Sequence, residues 1–163
     1  MKKLQFIFTA ALLLFLFNTE IVSAQDTKKQ KQDSKEAAIK ALIDSRHYSF
    51  EAQTALPLGT TTRQLTTGYE LKVSKDTIEA YLPYFGRAYT ATIGSSDGGI
   101  EFKTTDFQYT LSEAKKGGWD VTIAPKNAGD TRRLTLYIST AGSVSLQVNS
   151  NNRQDISFYG YIQ

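Results

Sequence analysis

The stretch LTLYISTAGSVSLQV, Leu134–Val148, decides the fold of this chain. Leu134, Leu136 and Ile138 alternate with Thr135 and Tyr137; after the spacer TAGS at 140–143, Val144, Leu146 and Val148 alternate with Ser145 and Gln147. A side-chain period of two belongs to a strand with one buried face. The spacer is far too short for a parallel crossover, which takes about a dozen residues, so the two strands pair antiparallel.

The pattern recurs on both sides. YSFEA alternates Tyr48, Phe50 and Ala52; YELKV alternates Tyr69, Leu71 and Val73; TIEAYL alternates Ile78, Ala80 and Leu82. RAYTATI carries Tyr89, Ala91 and Ile93 on one side, GIEF gives Ile100 and Phe102, and FQYTL gives Phe107, Tyr109 and Leu111. WDVTI supplies Trp119, Val121 and Ile123, and DISFYGYI supplies Ile156, Phe158 and Ile162. Together these make about ten short strands. The spacers SKD (74–76), TTD (104–106), KKGG (115–118) and PKNAGD (125–130) are turn-like, so consecutive strands pair antiparallel throughout. One apolar face per strand means sheets with water on one side. The expected fold is mainly β, an antiparallel meander in a barrel-like or two-layer body with Trp119 in its core. The threonine-rich run Thr60–Thr67 reads as a longer, mobile loop.

Ahead of the strands, Ser34–Arg46 places Ala38, Ile39, Leu42 and Ile43 on one helical stripe, with Asp33 at the cap and Glu36 three residues on. A helix of about three turns is marginal alone. One N-terminal helix is therefore expected to dock over an opening or face of the β body. Residues 25–33 are polar and expected to form a disordered tether.

Residues 1–24 read as a secretory signal peptide. Lys2 and Lys3 precede the apolar run Leu4–Phe17, and Val22 and Ala24 occupy the small-residue positions of a cleavage site. The run is shorter than the ~20 residues that span a bilayer. The expected product is a soluble periplasmic or secreted protein, with no membrane span after cleavage and a single domain over 34–163. The chain has no cysteine. That removes lipid attachment at the cleavage site, disulfides, thiol chemistry and sulfur-bound metal. Of 19 basic and 16 acidic residues, the leader takes Lys2, Lys3 and Glu20, which leaves 17 and 15, a balance of +2. The one dense basic stretch, Lys28–Gln32, lies in the tether, so no nucleic-acid partner is expected.

One turn does not look polar. YLPYFGRAY, Tyr81–Tyr89, holds four aromatic residues. Pro83 suits a turn corner, and Gly86 is expected at positive φ in a hairpin joining Ile78–Leu82 to Ala88–Ile93. Tyr84 and Phe85 either fold back to cap the core or form an apolar patch for a ligand or partner. Arg87 is expected either to stack on Tyr84 or Tyr89 and pair with Glu79, the favoured reading, or to read an anion in a pocket. Near the C-terminus, NSNNRQ (149–154) is a polar hairpin loop whose Arg153 offers several donors. The ligand- or partner-binding candidates are Tyr81, Tyr84, Phe85, Arg87, Tyr89 and Arg153.

YLPYFGRAY, a Gly-Gly-Ile strand start, KKGGWDVTI and VNSNNRQDISFYGYI together resemble an uncharacterised family of exported Bacteroidetes proteins, classed as a domain of unknown function, continuously from about Lys35 to Gln163. The resemblance implies a source phylum and an envelope location, and no mechanism. It also makes Asp76-Thr77-Ile78 a candidate O-glycosylation triplet, although a plain strand start accounts for the same residues.

Catalytic groups are sparse. His47 is the only histidine, there is no G-x-S-x-G elbow, no acidic run has calcium-loop spacing and no glycine-rich loop cradles phosphate. No catalytic residue, metal site or cofactor is expected. Two readings stand. The favoured one is a non-catalytic envelope protein that binds a small molecule or another envelope protein at the aromatic end. The alternative is a glycan hydrolase that uses two carboxylates among Glu51, Glu70, Glu79, Glu101, Asp106 and Asp120.

Overall fold

The computed structural model describes residues 20–89 and 98–163. It divides into two units, Met1–Ala37 and Ala38–Gln163. The described part of the first unit belongs to helix α1 (Glu20–Ser45), which runs on into the second. The helix passes through residues 25–33, where a disordered tether was expected, and through Asp33, where a cap was expected. Lys, Gln, Ala and Glu cost little in a helix, and the side chains from Thr27 to Lys35 are exposed.

The second unit begins with the last turns of α1. Ile39 and Ile43 are buried in the core and Leu42 packs against it, as the i, i+3, i+4 stripe requires. The helix ends at Arg46, a non-glycine residue at φ 50° whose guanidinium lies 4.5 Å from the centre of the Tyr109 ring. The cation over the ring and the bond from Arg46 N to Ile43 O (3.1 Å) hold this left-handed turn.

Ten antiparallel strands follow: β1 (Tyr48–Pro57), β2 (Arg63–Gln64), β3 (Glu70–Val73), β4 (Ile78–Leu82), β5 (Ile100–Thr104), β6 (Phe107–Glu113), β7 (Trp119–Pro125), β8 (Thr131–Ile138), β9 (Ser143–Ser150) and β10 (Ile156–Ile162). Their order is β5-β4-β3-β1-β10-β9-β8-β7-β6, with β2 paired on β1. Two meanders, β3–β5 and β6–β10, are thus joined by β1 between β3 and β10. The outcome is one nearly closed, barrel-like sheet rather than two layers. Its edges, β5 and β6, are consecutive in sequence. Thr104, buried, donates to Lys126 O (2.8 Å) and accepts from Asp106 N (3.2 Å), which ties that corner together.

Apart from the two-residue β2, whose Arg63 and Gln64 are exposed, every strand but β6 buries an inner row that is mostly apolar. Phe50, Leu71, Ile78, Val121, Leu136, Leu146 and Phe158 are fully buried, and Trp119 lies in the core as expected. β6 breaks the alternation: Phe107 and Tyr109 are half-buried and Leu111 is exposed. As an edge strand it has a neighbour on one side only, so its inward row is incompletely covered. The loop at Thr60–Thr67 contains β2. Most of RAYTATI lies outside the described residues, which resume at 98; Ala88 forms an isolated bridge with Arg153.

Candidate functional site

YLPYFGRAY is not a hairpin tip. β4 ends at Leu82 and pairs with β5, whose Ile100 faces Leu82. The residues after Leu82 leave the sheet and run against the loop between β9 and β10. Ala88 bridges Arg153, Tyr89 N donates to Asn152 O (2.8 Å), and Gln154 N donates to Arg87 O (3.0 Å). The two loops singled out separately in the sequence therefore form one backbone ladder. Gly86 is not at positive φ; a Cβ there would collide with the Tyr84 phenol. Its role is close approach, not turn conformation.

Within this clasp Tyr84, Phe85 and Arg153 make contacts inside the chain. The Tyr84 hydroxyl lies 2.9 Å from Arg87 O and 3.0 Å from Gln154 O and donates between them. Burial pushes the Tyr84 phenol up from its ordinary pKa, and the Arg153 guanidinium, 5.2 Å from the ring centre, opposes that rise. Arg153 Nε binds Asp130 Oδ2 at 3.2 Å, and its Nη1 donates to Gly98 O (2.6 Å) and Gly99 O (3.1 Å). Phe85 is half-buried against the core with Arg63 4.6 Å over its ring. Tyr84 and Phe85 thus fold back, the capping reading of the two.

The other three candidates point outward. Tyr81 is half-exposed and stacks on Tyr69, with centroids 5.7 Å apart and planes 15° off parallel. Tyr89 and the Arg87 side chain are exposed. Arg87 does not pair with Glu79, which binds Lys103 instead (3.1 Å).

Residues 30–162 match the family described as Domain of unknown function (DUF4251). The chain belongs to the DUF4251 family. No curated protein matches it. A crystal structure of a DUF4251 family protein from Bacteroides eggerthii resembles it with a TM-score of 0.58 at 13% identity, over 79% of this chain and 87% of that one. At that identity the likeness speaks to the fold alone.

In this DUF4251 member three of the six candidate carboxylates, Glu70, Glu79 and Asp106, bind lysines. Glu70 binds Lys72 (2.7 Å) and Asp106 binds Lys126 (3.2 Å). Glu51 and Glu70 are register partners across β1 and β3, on the outer face. His47 is exposed beside a shallow depression lined by Ser45, Ser74, Lys75 and Asp76. Thr77 sits at the tight turn before β4, its hydroxyl 3.2 Å from Asp76 Oδ1. Among the described residues no cluster of three metal-ligating side chains occurs.

Sequence reading missed Asp130. It anchors Arg153, accepts from Asn152 Nδ2 (2.9 Å), and its carbonyl accepts from Asn151 N (2.9 Å). Inside PKNAGD it looks like any turn aspartate, and no local signal distinguishes it. The outer-face tyrosines Tyr137, Tyr159 and Tyr161 were also missed, although their odd places in the alternation marked them as outward.

Proposed function

We propose that this protein is exported by its leader and works in the cell envelope as a non-catalytic binding protein for a small molecule, a glycan or another envelope protein. One observation carries the reading. Among the described residues the exposed large apolar side chains are Leu58, Leu111 and five tyrosines: Tyr81, Tyr89, Tyr137, Tyr159 and Tyr161. Tyrosine presents a broad apolar ring with a polar tip, so it tolerates water yet gives large contact area at low entropic cost. Strands β4, β8 and β10 carry Tyr81, Tyr137, Tyr159 and Tyr161, and the clasp at Tyr84 and Arg153 holds the segment that bears Arg87 and Tyr89.

The location rests on the leader residues 1–24. No described helix is long and apolar enough to cross a membrane. Cell fractionation with N-terminal sequencing tests export: a chain beginning at Gln25 outside the cytoplasm supports it, and Met1 retained in the cytoplasm overturns it.

The binding role is tested with 13C-labelled tyrosine rings, titrated with envelope extract separated into small-molecule, glycan and protein fractions. Shifts of outward-ring signals in one fraction, with Tyr48 unmoved, support the reading. Silence in all fractions overturns it. Glycoside turnover that disappears in both Glu51→Gln and Glu70→Gln would replace it with the hydrolase alternative.

A further inference from the structure

We propose that the outer face of β8, β9 and β10 is a binding groove for a neutral oligosaccharide, an inference that rests on the binding reading above and names its site and ligand class. The groove follows from strand register. Tyr159 on β10 and Tyr137 on β8 are both partners of Ser145 on β9, one from each side. Tyr161 is the partner of Ser143. With adjacent strands about 4.8 Å apart, the Cα atoms of Tyr137 and Tyr159 stand roughly 10 Å apart, and Tyr161 lies about 7 Å along from Tyr159. Three half-exposed rings therefore flank a floor of two serines. Large rings beside small residues leave an open groove of about 390 Å³, within the size range of small-ligand sites.

A β-bulge shapes its far wall. The pairing of β1 with β10 slips between Ala52 and Thr54, so Gln53 and Thr54 both turn outward. Gly160 is the partner of Ala52, where the slip begins, and a Cβ there would collide with the Glu51 carbonyl. Only glycine lets β1 approach β10 this closely, and the extra outward residue brings the Gln53 amide to the groove.

The lining chemistry selects the ligand. No charged residue lines this groove. Among the described residues the Ser143 and Ser145 hydroxyls, the Gln53 amide and the three phenol hydroxyls have no side-chain partner, so donors and acceptors remain for a ligand. A neutral sugar has the matching surface: an apolar C–H face for a tyrosine ring and hydroxyls at its edge. A lipid would call for an aliphatic lining, and a nucleic acid for clustered cations. Serine is depleted in protein–protein interfaces, which disfavours a protein partner on this floor.

Length follows from Tyr137, which also lines a second depression of about 640 Å³ bounded by Glu113, Lys115, Lys116 and Asp120. Two positive and two negative groups there balance. One ring shared by two adjoining depressions suits a chain laid across the strands rather than a single sugar.

The test is native electrophoresis of the protein through gels containing soluble neutral polysaccharides of α- and β-linked glucose, mannose, galactose and xylose. The expected result is retardation by at least one of them. Tyr137→Ala and Tyr159→Ala each weaken it about tenfold or more, while Tyr137→Phe, which keeps the ring, preserves most of it. Circular dichroism and thermal unfolding confirm that the variants fold. Retardation by none of the panel, or retardation unchanged in both alanine variants, overturns the inference. If outward tyrosine signals then shift with the protein fraction, the glycan assignment has failed and the binding reading survives; if no fraction shifts them, both have failed.

Discussion

Arg153 and Asp130 form the least exposed of the ion pairs among the described residues, with Nε 3.2 Å from Oδ2 and the side chains 9% and 19% exposed. The pair joins the loop after β9 to the loop before β8, and the same guanidinium holds the Gly98 and Gly99 carbonyls. A buried pair broken on one side leaves an uncompensated charge. Asp130→Asn and Arg153→Ala are each expected to lower stability by about 3 kcal/mol. Arg153→Lys should recover little, because one ammonium cannot reproduce the fork that binds a carboxylate and two carbonyls. Urea unfolding reads this as a lower midpoint at unchanged slope. A lysine variant as stable as the parent would show that the fork is not what holds the loops.

Tyr84→Phe isolates the clasp. The substitution keeps the ring under Arg153 and removes only the hydroxyl between Arg87 O and Gln154 O. The expected cost is about 1–2 kcal/mol. Amide exchange should quicken at Tyr89 and Gln154, whose N–H groups close the ladder, and stay slow at Leu136 in the core. Exchange that rises equally at all three sites would mean a general loosening instead.

Alkaline pH should unfold the protein through its tyrosines. Tyr48 is buried and its hydroxyl lies 3.2 Å from that of Tyr109. Burial pushes both phenols above their ordinary value, and the neighbouring ring adds to the rise at Tyr48. The folded state therefore holds these protons more tightly than the unfolded chain. Stability from this source is complete below the unfolded phenol pKa of about 10 and falls above it, by up to ~1.4 kcal/mol per pH unit for each such tyrosine. Denaturation followed at stepped alkaline pH should show a shallower fall in Tyr48→Phe. Equal slopes for parent and variant would remove Tyr48 from the account.

Gly160→Ala should destabilise without touching any polar group. The added methyl meets the Glu51 carbonyl and the Phe50 ring. Neither is free to move, since β1 is paired on both sides. The expected loss is about 2–3 kcal/mol, or roughly 6–10 °C in Tm at this chain length. A thermal melt within about a degree of the parent would mean the bulge relaxes to make room.

The strands were legible because burial on one face imposes a period of two, and nine of the ten expected runs are strands in the structure. Leu134–Val148 folds as read, Leu136 facing Leu146 across β8 and β9. The stripe Ile39, Leu42, Ile43 was legible for the same reason with a period of 3.6. What failed was pairing at a distance. Tyr84 was read at the tip of a local hairpin, yet its partners Gln154 and Arg153 lie some seventy residues on. Leu111 was read as core because its period is right, but edge position left it exposed.

The sequence alone thus determined which residues turn inward, since alternation and helical spacing are local consequences of backbone geometry. It also determined the absence of thiol chemistry, because no cysteine is present. Only the tertiary structure decided that β1 joins two meanders, that Asp130 finds Arg153, and that Tyr137 and Tyr159 flank one serine. Each depends on which strands become neighbours. That choice is made by the closure of the whole sheet around a shared core, and no single segment carries it.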